Sequence, residues 1–312
     1  MPETLPSGLG DCASMSCDAG WTISGEVRFA SDAKPPRARL AGAGQTPLAS
    51  RFELAPDDGE LAATTVGFSM ESGGLRNEAH SHQAAQLLYV ARGEFICEAD
   101  NAWWIVPPGS ALWIPGHMPH RVRGSAPLEG YNVFVAPRAA RAMPSECRSV
   151  AVSPLLREVV IKLAARSAAR GADGPGRRLV GVLLDELADM PVEAHRLPMP
   201  SDRRLRRLVE LVTANPADGA TAAEWGRRVG LAERTLSRTM ARETGMSFGS
   251  WRRQLHVVMA IQRLSRGVSV QRVAEELGYE NASSFVTMFR KVLGEPPARY
   301  LANRQRPTST NG

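Results

Sequence analysis

Val273-Ala-Glu-Glu-Leu-Gly-Tyr-Glu-Asn-Ala-Ser-Ser-Phe-Val-Thr-Met-Phe-Arg-Lys291 decides what kind of chain this is. It begins as a short helix, Gly278 can take the left-handed conformation that a tight helix-to-helix turn needs, and Asn281 supplies an oxygen to accept from the orphan amides of the next helix. In that second helix Phe285, Met288, Phe289 and Val292 recur at the helical period and face a core, while Ser283, Ser284, Thr287, Arg290 and Lys291 fall on the other side. An apolar face backed by hydroxyls and cations suits a helix that lies against DNA. The expectation is a helix-turn-helix.

An earlier copy precedes it. Val229-Gly-Leu-Ala-Glu-Arg-Thr-Leu-Ser-Arg-Thr-Met240 lies along Leu277 to Phe289 with one residue inserted in the later copy. Gly230 pairs with Gly278, Leu236 with Phe285, Met240 with Phe289, Gly245 with Gly294 and Trp251 with Tyr300. Between the copies Ser247 caps a long helix carrying Phe248, Trp251, Leu255, Val258, Ile261 and Leu264, and Gly267 ends it. Upstream, Thr221 and Glu224 form a capping box, and Leu205, Leu208, Val209 and Val212 make a first stripe that Asn215-Pro216 stops.

Two helix-turn-helix units on one rod can set two reading helices into successive major-groove segments, about 34 Å apart. The candidate reading residues are Arg234, Thr235, Ser237 and Arg238 in the first copy and Ser283, Ser284, Thr287 and Arg290 in the second. Arginine can grip guanine O6 and N7 together, whereas Ser and Thr read base edges or phosphates. Arg227, Arg228, Arg252, Arg253 and Lys291 are suited to phosphates. The charge agrees: Arg203 to Arg306 holds 19 Lys and Arg against 9 Asp and Glu, net +10, and the rest holds 19 against 23, net −4. A basic third joined to a mildly acidic remainder points to a polyanion partner for that third alone.

From about Asp202 to Arg304 the chain resembles the DNA-binding domain of the AraC/XylS family of transcription regulators. The resemblance is carried by Gly-Leu-Ala-Glu-Arg-Thr-Leu-Ser-Arg from Gly230, Glu243-Thr-Gly245, Val-Ala-Glu-Glu-Leu-Gly-Tyr from Val273, and Gly-Glu-Pro-Pro-Ala-Arg-Tyr from Gly294. One departure is Ala232, which stands where the family usually places a Ser or Thr cap. The resemblance implies a protein that binds double-stranded promoter DNA, as activator or repressor, and engages RNA polymerase where it activates.

Ahead of this domain the texture changes. From Leu61 to Pro137 short apolar runs are broken by Gly and Pro, which argues for a barrel or sandwich of many short strands. Four of the six histidines lie between His80 and His120. His80-Ser-His82-Gln-Ala-Ala-Gln86 with Gly93, then Gly109 with Pro115-Gly-His-Met-Pro-His120, resemble the two cupin motifs, whose histidines and glutamate hold a divalent metal in a small β-barrel. Carried onto this sequence, the resemblance gives His80, His82, Gln86 and His120 as metal or effector ligands, with Gln86 in place of the family's glutamate. Residues two apart on a strand share a face, so His80 and His82 project together and His120 shares its face with Val122. Three imidazoles with an open position suit Zn, Fe, Ni or Cu. The alternative is a metal-free cupin that uses the same groups to hydrogen-bond a small effector. Trp113, with Trp103 and Trp104, is a candidate lining residue for an effector, with core packing as the alternative.

Leu155, Leu156, Val159, Val160 and Leu163 form one helical stripe, and Leu179, Val182, Leu183 and Leu187 another, across a glycine-rich turn. Such a hairpin is expected to pair two chains into a homodimer, with packing onto the barrel as the alternative. Leu197-Pro-Met-Pro200 reads as an extended linker.

The expected architecture is therefore α+β and multidomain: a flexible extension over 1–58, a cupin-like effector-binding β-barrel over 59–140, a helical hairpin over 150–195, and an all-α double helix-turn-helix domain over 202–305. The 312 residues suffice for about two domains. No apolar run approaches the roughly 18 residues of a membrane span, and the start lacks the basic and apolar regions of a signal peptide, so a cytoplasmic chain without a membrane partner is expected. Cys12, Cys17, Cys97 and Cys147 have no zinc-ribbon spacing and are expected as thiols. A cupin oxygenase or isomerase fused to a DNA-binding domain is the competing class. Gln86 and the lack of an evident acid or base partner count against it, and no enzyme is expected.

Overall fold

The computed structural model describes residues 63–305 apart from 72–73, 169–173 and 194, and before them the backbone of 15–17, 21–24 and 27–30. Eleven strands form one antiparallel sheet: β1 (Met15–Cys17), β2 (Trp21–Ser24), β3 (Val27–Ala30), β4 (Ala63–Met70), β5 (Gly74–Asn77), β6 (Ala85–Ala99), β7 (Ala102–Val106), β8 (Ser110–Ile114), β9 (His120–Val135), β10 (Arg148–Ala151) and β11 (Arg196–Pro198). The strand path does not close on itself, so the expected barrel is an open one.

The long strands β6 and β9 hold the sheet together. Residues 85–90 of β6 lie between β8 and the end of β9, and residues 95–99 lie between β7 and the start of β9. Leu88 and Val90 point into the same core as Phe95, Cys97, Trp104, Ile114 and Val122, so both halves wrap one interior. Inward residues are even-numbered before Val90 and odd-numbered after it. Two register shifts between Val90 and Glu94 cause the change, because an extra residue in a period-two strand exchanges its faces.

Strands β8 and β6 are buried on both sides because helices cover the other face. Helices α1 (Pro154–Ala168) and α2 (Gly174–Asp189) place Leu156, Val159, Val160, Leu163, Val180, Leu183 and Leu187 on Leu87, Tyr89, Trp113, Val133 and Val150. The hairpin thus spends most of its apolar surface on the sheet, leaving Leu155 at 51% and Val182 at 39% exposure.

The C-terminal helices are α3 (Arg203–Ala214), α4 (Ala222–Arg228), α5 (Glu233–Thr244), α6 (Phe248–Ser265), α7 (Val270–Glu276), α8 (Ala282–Leu293) and α9 (Pro297–Gln305). Asp202, Thr221, Ser247, Ser269 and Asn281 cap five of them through their side chains, each accepting from amides that otherwise lack partners. The internal repeat is visible in the backbone. Helices α5 and α8 are both 12 residues long, Gly245 and Gly294 end them at φ 71° and 83°, and Gly230 and Gly278 make the turns before them at 69° and 76°. The paired residues Leu236 and Phe285, Met240 and Phe289, Trp251 and Tyr300 are all buried.

Two expectations need correction. The extension over 1–58 contributes strands β1 to β3: β1 pairs with β2, β2 with β5 and β3 with β4; its alternating Val27-Arg-Phe-Ala30 is a strand pattern hidden by the Gly- and Pro-rich composition around it, and its other residues lie outside the described ones. The linker is also part of the sheet: Arg196–Pro198 pairs with β7, and Leu197 is fully buried. Proline can occupy such an edge strand because it lacks only a donor. Among the described residues no helix is long and apolar enough to cross a membrane. Cys97 and Cys147 are free and buried, and burial pushes the Cys147 thiol up to about 12; the side chains of Cys12 and Cys17 lie outside the described residues.

Candidate functional site

Three imidazoles meet where the segment after β5 comes against the start of β9. His80 bridges His120 by two backbone hydrogen bonds of 3.0 and 2.8 Å, and His82 follows outside the strand. The loop carrying the second motif is held by His117 N, which donates to His82 O at 2.7 Å; Gly116 is required there, since a Cβ would lie 2.2 Å from Gln83 O. Ring centroids stand 4.4 Å apart for His80 and His120, 5.1 Å for His82 and His120, and 5.8 Å for His80 and His82. One ligating atom from each ring falls within 4.8 Å of the others.

Hydrogen bonding sets the tautomers. His82 Nδ1 lies 2.7 Å from Ala84 O and His120 Nδ1 lies 2.9 Å from Met118 O. A carbonyl only accepts, so both Nδ1 atoms carry the proton and both Nε2 atoms present a lone pair. His80 Nδ1 is 3.1 Å from Glu78 O and 3.2 Å from Asn77 Nδ2, and pairing with the carbonyl leaves its lone pair on Nε2 as well. Burial pushes the His120 imidazole down to about 4 and lowers that of His80, so both are neutral near pH 7. His120 Nε2 is buried without a hydrogen-bond partner.

Gln86 completes the group. Its Oε1 lies 3.2 Å from His82 Nε2, and its Nε2 donates to Asn132 Oδ1 at 2.7 Å. With the His82 proton given to Ala84, Oε1 and Nε2 are two acceptors facing each other. That arrangement is relieved by a cation between them or by turning over both amides. Two ligands each about 2.1 Å from one metal and at right angles would stand about 3 Å apart, so this donor set fits a divalent ion. Neutral nitrogen donors with one amide oxygen favour Zn, Ni, Cu or Fe over Mg or Ca.

The second site is the outer surface of the helical domain. Arg234, Ser237, Arg238, Ser283, Ser284, Thr287 and Arg290 are exposed and Thr235 is half-buried, all on the faces of α5 and α8 opposite their buried rows. No described residue pairs with Arg234, Arg238 or Arg290. Ala232 caps α5 without a side-chain hydrogen bond, whereas Asn281 Oδ1 accepts from Ser284 N at 2.9 Å.

The helix-turn-helix domain family matches residues 225–303, and the AraC-like ligand binding domain family matches residues 66–186. The HTH-type transcriptional regulator NimR of Escherichia coli (strain K12) is 38% identical over 247 residues, which is 79% of this chain and 90% of NimR. The chain belongs to the AraC/XylS family of transcription regulators.

As an AraC/XylS regulator it has a ligand-binding domain in front and a DNA-binding domain behind. The HTH-type transcriptional regulator RipA of Corynebacterium glutamicum is 32% identical over 107 residues, 34% of this chain and 32% of RipA. A crystal structure of unsaturated fatty acid bound ToxT from Vibrio cholerae covers 80% of this chain and 97% of its own, at 10% identity and a TM-score of 0.32, too low for its geometry to bear on this chain.

Within this AraC/XylS regulator the sequence-derived residues divide. His80, His82, Gln86 and His120 come together. Trp113 does not join them: between the inward-facing Leu112 and Ile114 it points to the other face, 2% exposed, under α1 and α2, with its indole donating to Pro144 O at 3.0 Å. Trp104 is the tryptophan of the interior, and Trp103 faces the helical domain. Among the arginines suited to phosphates, Arg252 donates instead to Asp218 O at 2.6 Å and to Ala220 O at 3.4 Å, and Arg228 pairs with Asp218 and stacks on Trp225. Asn77 and Asn132, which orient the cluster, belong to no linear motif: Asn77 ends β5 three residues before His80, and only the pairing of β6 with β9 brings Asn132 to Gln86, 46 residues away in sequence.

Proposed function

We propose that this transcription regulator holds a divalent transition metal through Nε2 of His80, His82 and His120 with Gln86 Oε1, and that metal or metal-bound effector sets how α5 and α8 engage promoter DNA. The observation that carries this reading is the buried, unpartnered Nε2 of His120 beside two imidazoles with a common aim. A buried polar atom without a partner costs free energy, and a metal bound at His120 Nε2 removes that cost. Protein and metal together supply a Lewis-acidic centre with an open position. Carbonyls 78, 84 and 118 and Asn132 supply the orientation.

In the DNA complex Arg234 and Arg238 read base edges from the first helix, and Ser283, Ser284, Thr287 and Arg290 contact the adjacent groove segment from the second. Exposed Leu155 and Val182 on the hairpin pair two chains, and RNA polymerase is the further partner where the output is activation. The role is regulatory, in the cytoplasm, without turnover.

Footprinting on the DNA flanking its own gene, with metal-loaded and chelator-treated protein, tests this. The expected result is a protected pair of half-sites about one helical turn apart whose occupancy changes with metal. No protected site at low salt in either state would overturn it. Sedimentation equilibrium of Leu155→Glu/Val182→Glu is expected to give a monomer where the native chain gives a dimer.

A further inference from the structure

The charge of the histidine cluster says what kind of ligand completes it. Imidazoles bind a metal as neutral donors, and the group that could hold one, His80, His82 and His120, contains no carboxylate among the described residues. Gln86 stands where a carboxylate would reach His82, and its amide is held there by Asn132 at 2.7 Å. Asn77, which lies against His80, and the Phe134 ring, 5.4 Å from that of His82, are likewise uncharged. A divalent ion at this place therefore brings two positive charges into surroundings where His120 is 2% and Gln86 6% exposed. Weakly screened charge of this kind attracts an opposite charge far more than it would in water.

We propose that the site takes an anionic ligand, of the carboxylate class, on the open face of the metal, and that Gln86 is the residue that selects for it by withholding a negative charge of its own. This rests on the metal reading above. A glutamate at the same place would cancel one of the two charges, bind the metal more tightly and discriminate less in favour of anions. Glutamine keeps the oxygen donor and leaves the charge for the ligand to neutralise.

The full chain loaded with cobalt(II) tests it through the visible absorption of the ion. Acetate and azide are titrated into the native protein and into Gln86→Glu, with acetamide as the neutral counterpart of acetate. The expected result is a saturable change of the cobalt spectrum with acetate and azide and none with acetamide, and an anion affinity lower by about tenfold or more in Gln86→Glu, which still binds one cobalt. Acetamide acting as well as acetate, or undiminished anion binding in Gln86→Glu, would overturn the proposal while leaving the metal site intact. A native chain that shows no cobalt spectrum before any anion is added would instead remove the metal reading, and the anion with it. Circular dichroism and thermal unfolding establish that the variant is folded.

Discussion

Arg266, the C-cap residue of α6, sets Nε and Nη2 at 3.1 and 2.8 Å from Oε1 of Glu94, a carboxylate only 2% exposed on strand β6. The contact joins the ligand-binding sheet to the DNA-binding helices. Glu94 faces that way because the register shifts after Val90 exchange the faces of β6, and Ile96, two residues on, enters the helical core with Ile105 and Leu197. Nearby, Trp251 donates to Pro198 O at 2.8 Å, and His195 bridges Glu193 at 3.2 Å and the Tyr300 hydroxyl at 2.7 Å. Strand β6 thus carries Gln86 of the histidine cluster at one end and a partner of the DNA-binding domain further along.

Arg266→Ala leaves the Glu94 carboxylate buried without its cation. Unfolding in urea is expected to show a loss of about 2–3 kcal/mol, recovered in large part by Glu94→Gln in the same chain. Burial raises the Glu94 carboxyl and Arg266 opposes the rise. Removing Arg266 raises it further, and a raised folded value means stability that is present at low pH and lost as pH rises through it. The deficit of Arg266→Ala therefore grows as pH rises above the ordinary carboxylate range.

Glu243 at the end of α5 accepts from Ser201 N, Ser201 Oγ and Asp202 N at 2.8 to 2.9 Å, which ties the segment between β11 and α3 to α5. The backbone amide of Asp202 is the largest cause holding its carboxyl down at about 2. A depressed folded value gives stability that is present above the ordinary carboxylate range and lost as pH falls toward 2. Glu243→Gln is expected to flatten the acid limb of a stability–pH curve; an unchanged limb would show that these hydrogen bonds do not persist in solution.

Arg238→Ala is expected to weaken a specific operator by about 1–3 kcal/mol with little effect on random DNA or on thermal stability. Arg252→Ala should behave in the opposite way, lowering the melting temperature because the carbonyls of Asp218 and Ala220 lose their donor. Gel shifts on specific and random duplexes beside thermal melts separate the two.

Ala232 holds the extended N-cap conformation, φ −67° and ψ 149°, without a capping oxygen. Ser247 and Ser269 adopt nearly the same backbone and do cap. Ala232→Ser is therefore expected to stabilise the chain by about 1 kcal/mol in urea unfolding.

The helical domain was legible because local signals carry it. Turn glycines at 230 and 278, apolar residues at helical spacing and capping side chains act within a few residues of chain, and they agree with the tertiary packing. The histidines were legible as a motif, and Gln86 as a departure from it. What the sequence hid depends on register. Strand β8 is buried on both faces, so alternation did not reveal that Trp113 points away from His120. The exchange of faces in β6, the pairing of Arg196–Pro198 with β7 and the occupation of Arg252 by backbone carbonyls each need a distant partner that no local pattern names.

The three-histidine site bears the weight of the functional reading, and metal content tests it most directly. Inductively coupled plasma mass spectrometry of the purified full chain, beside His80→Ala/His82→Ala, is the measurement. One equivalent of Zn, Ni, Cu or Fe per native chain, lost in a full-length variant that remains folded and still binds DNA, is the expected result. A native chain that retains no metal after exposure to each of these ions would contradict it.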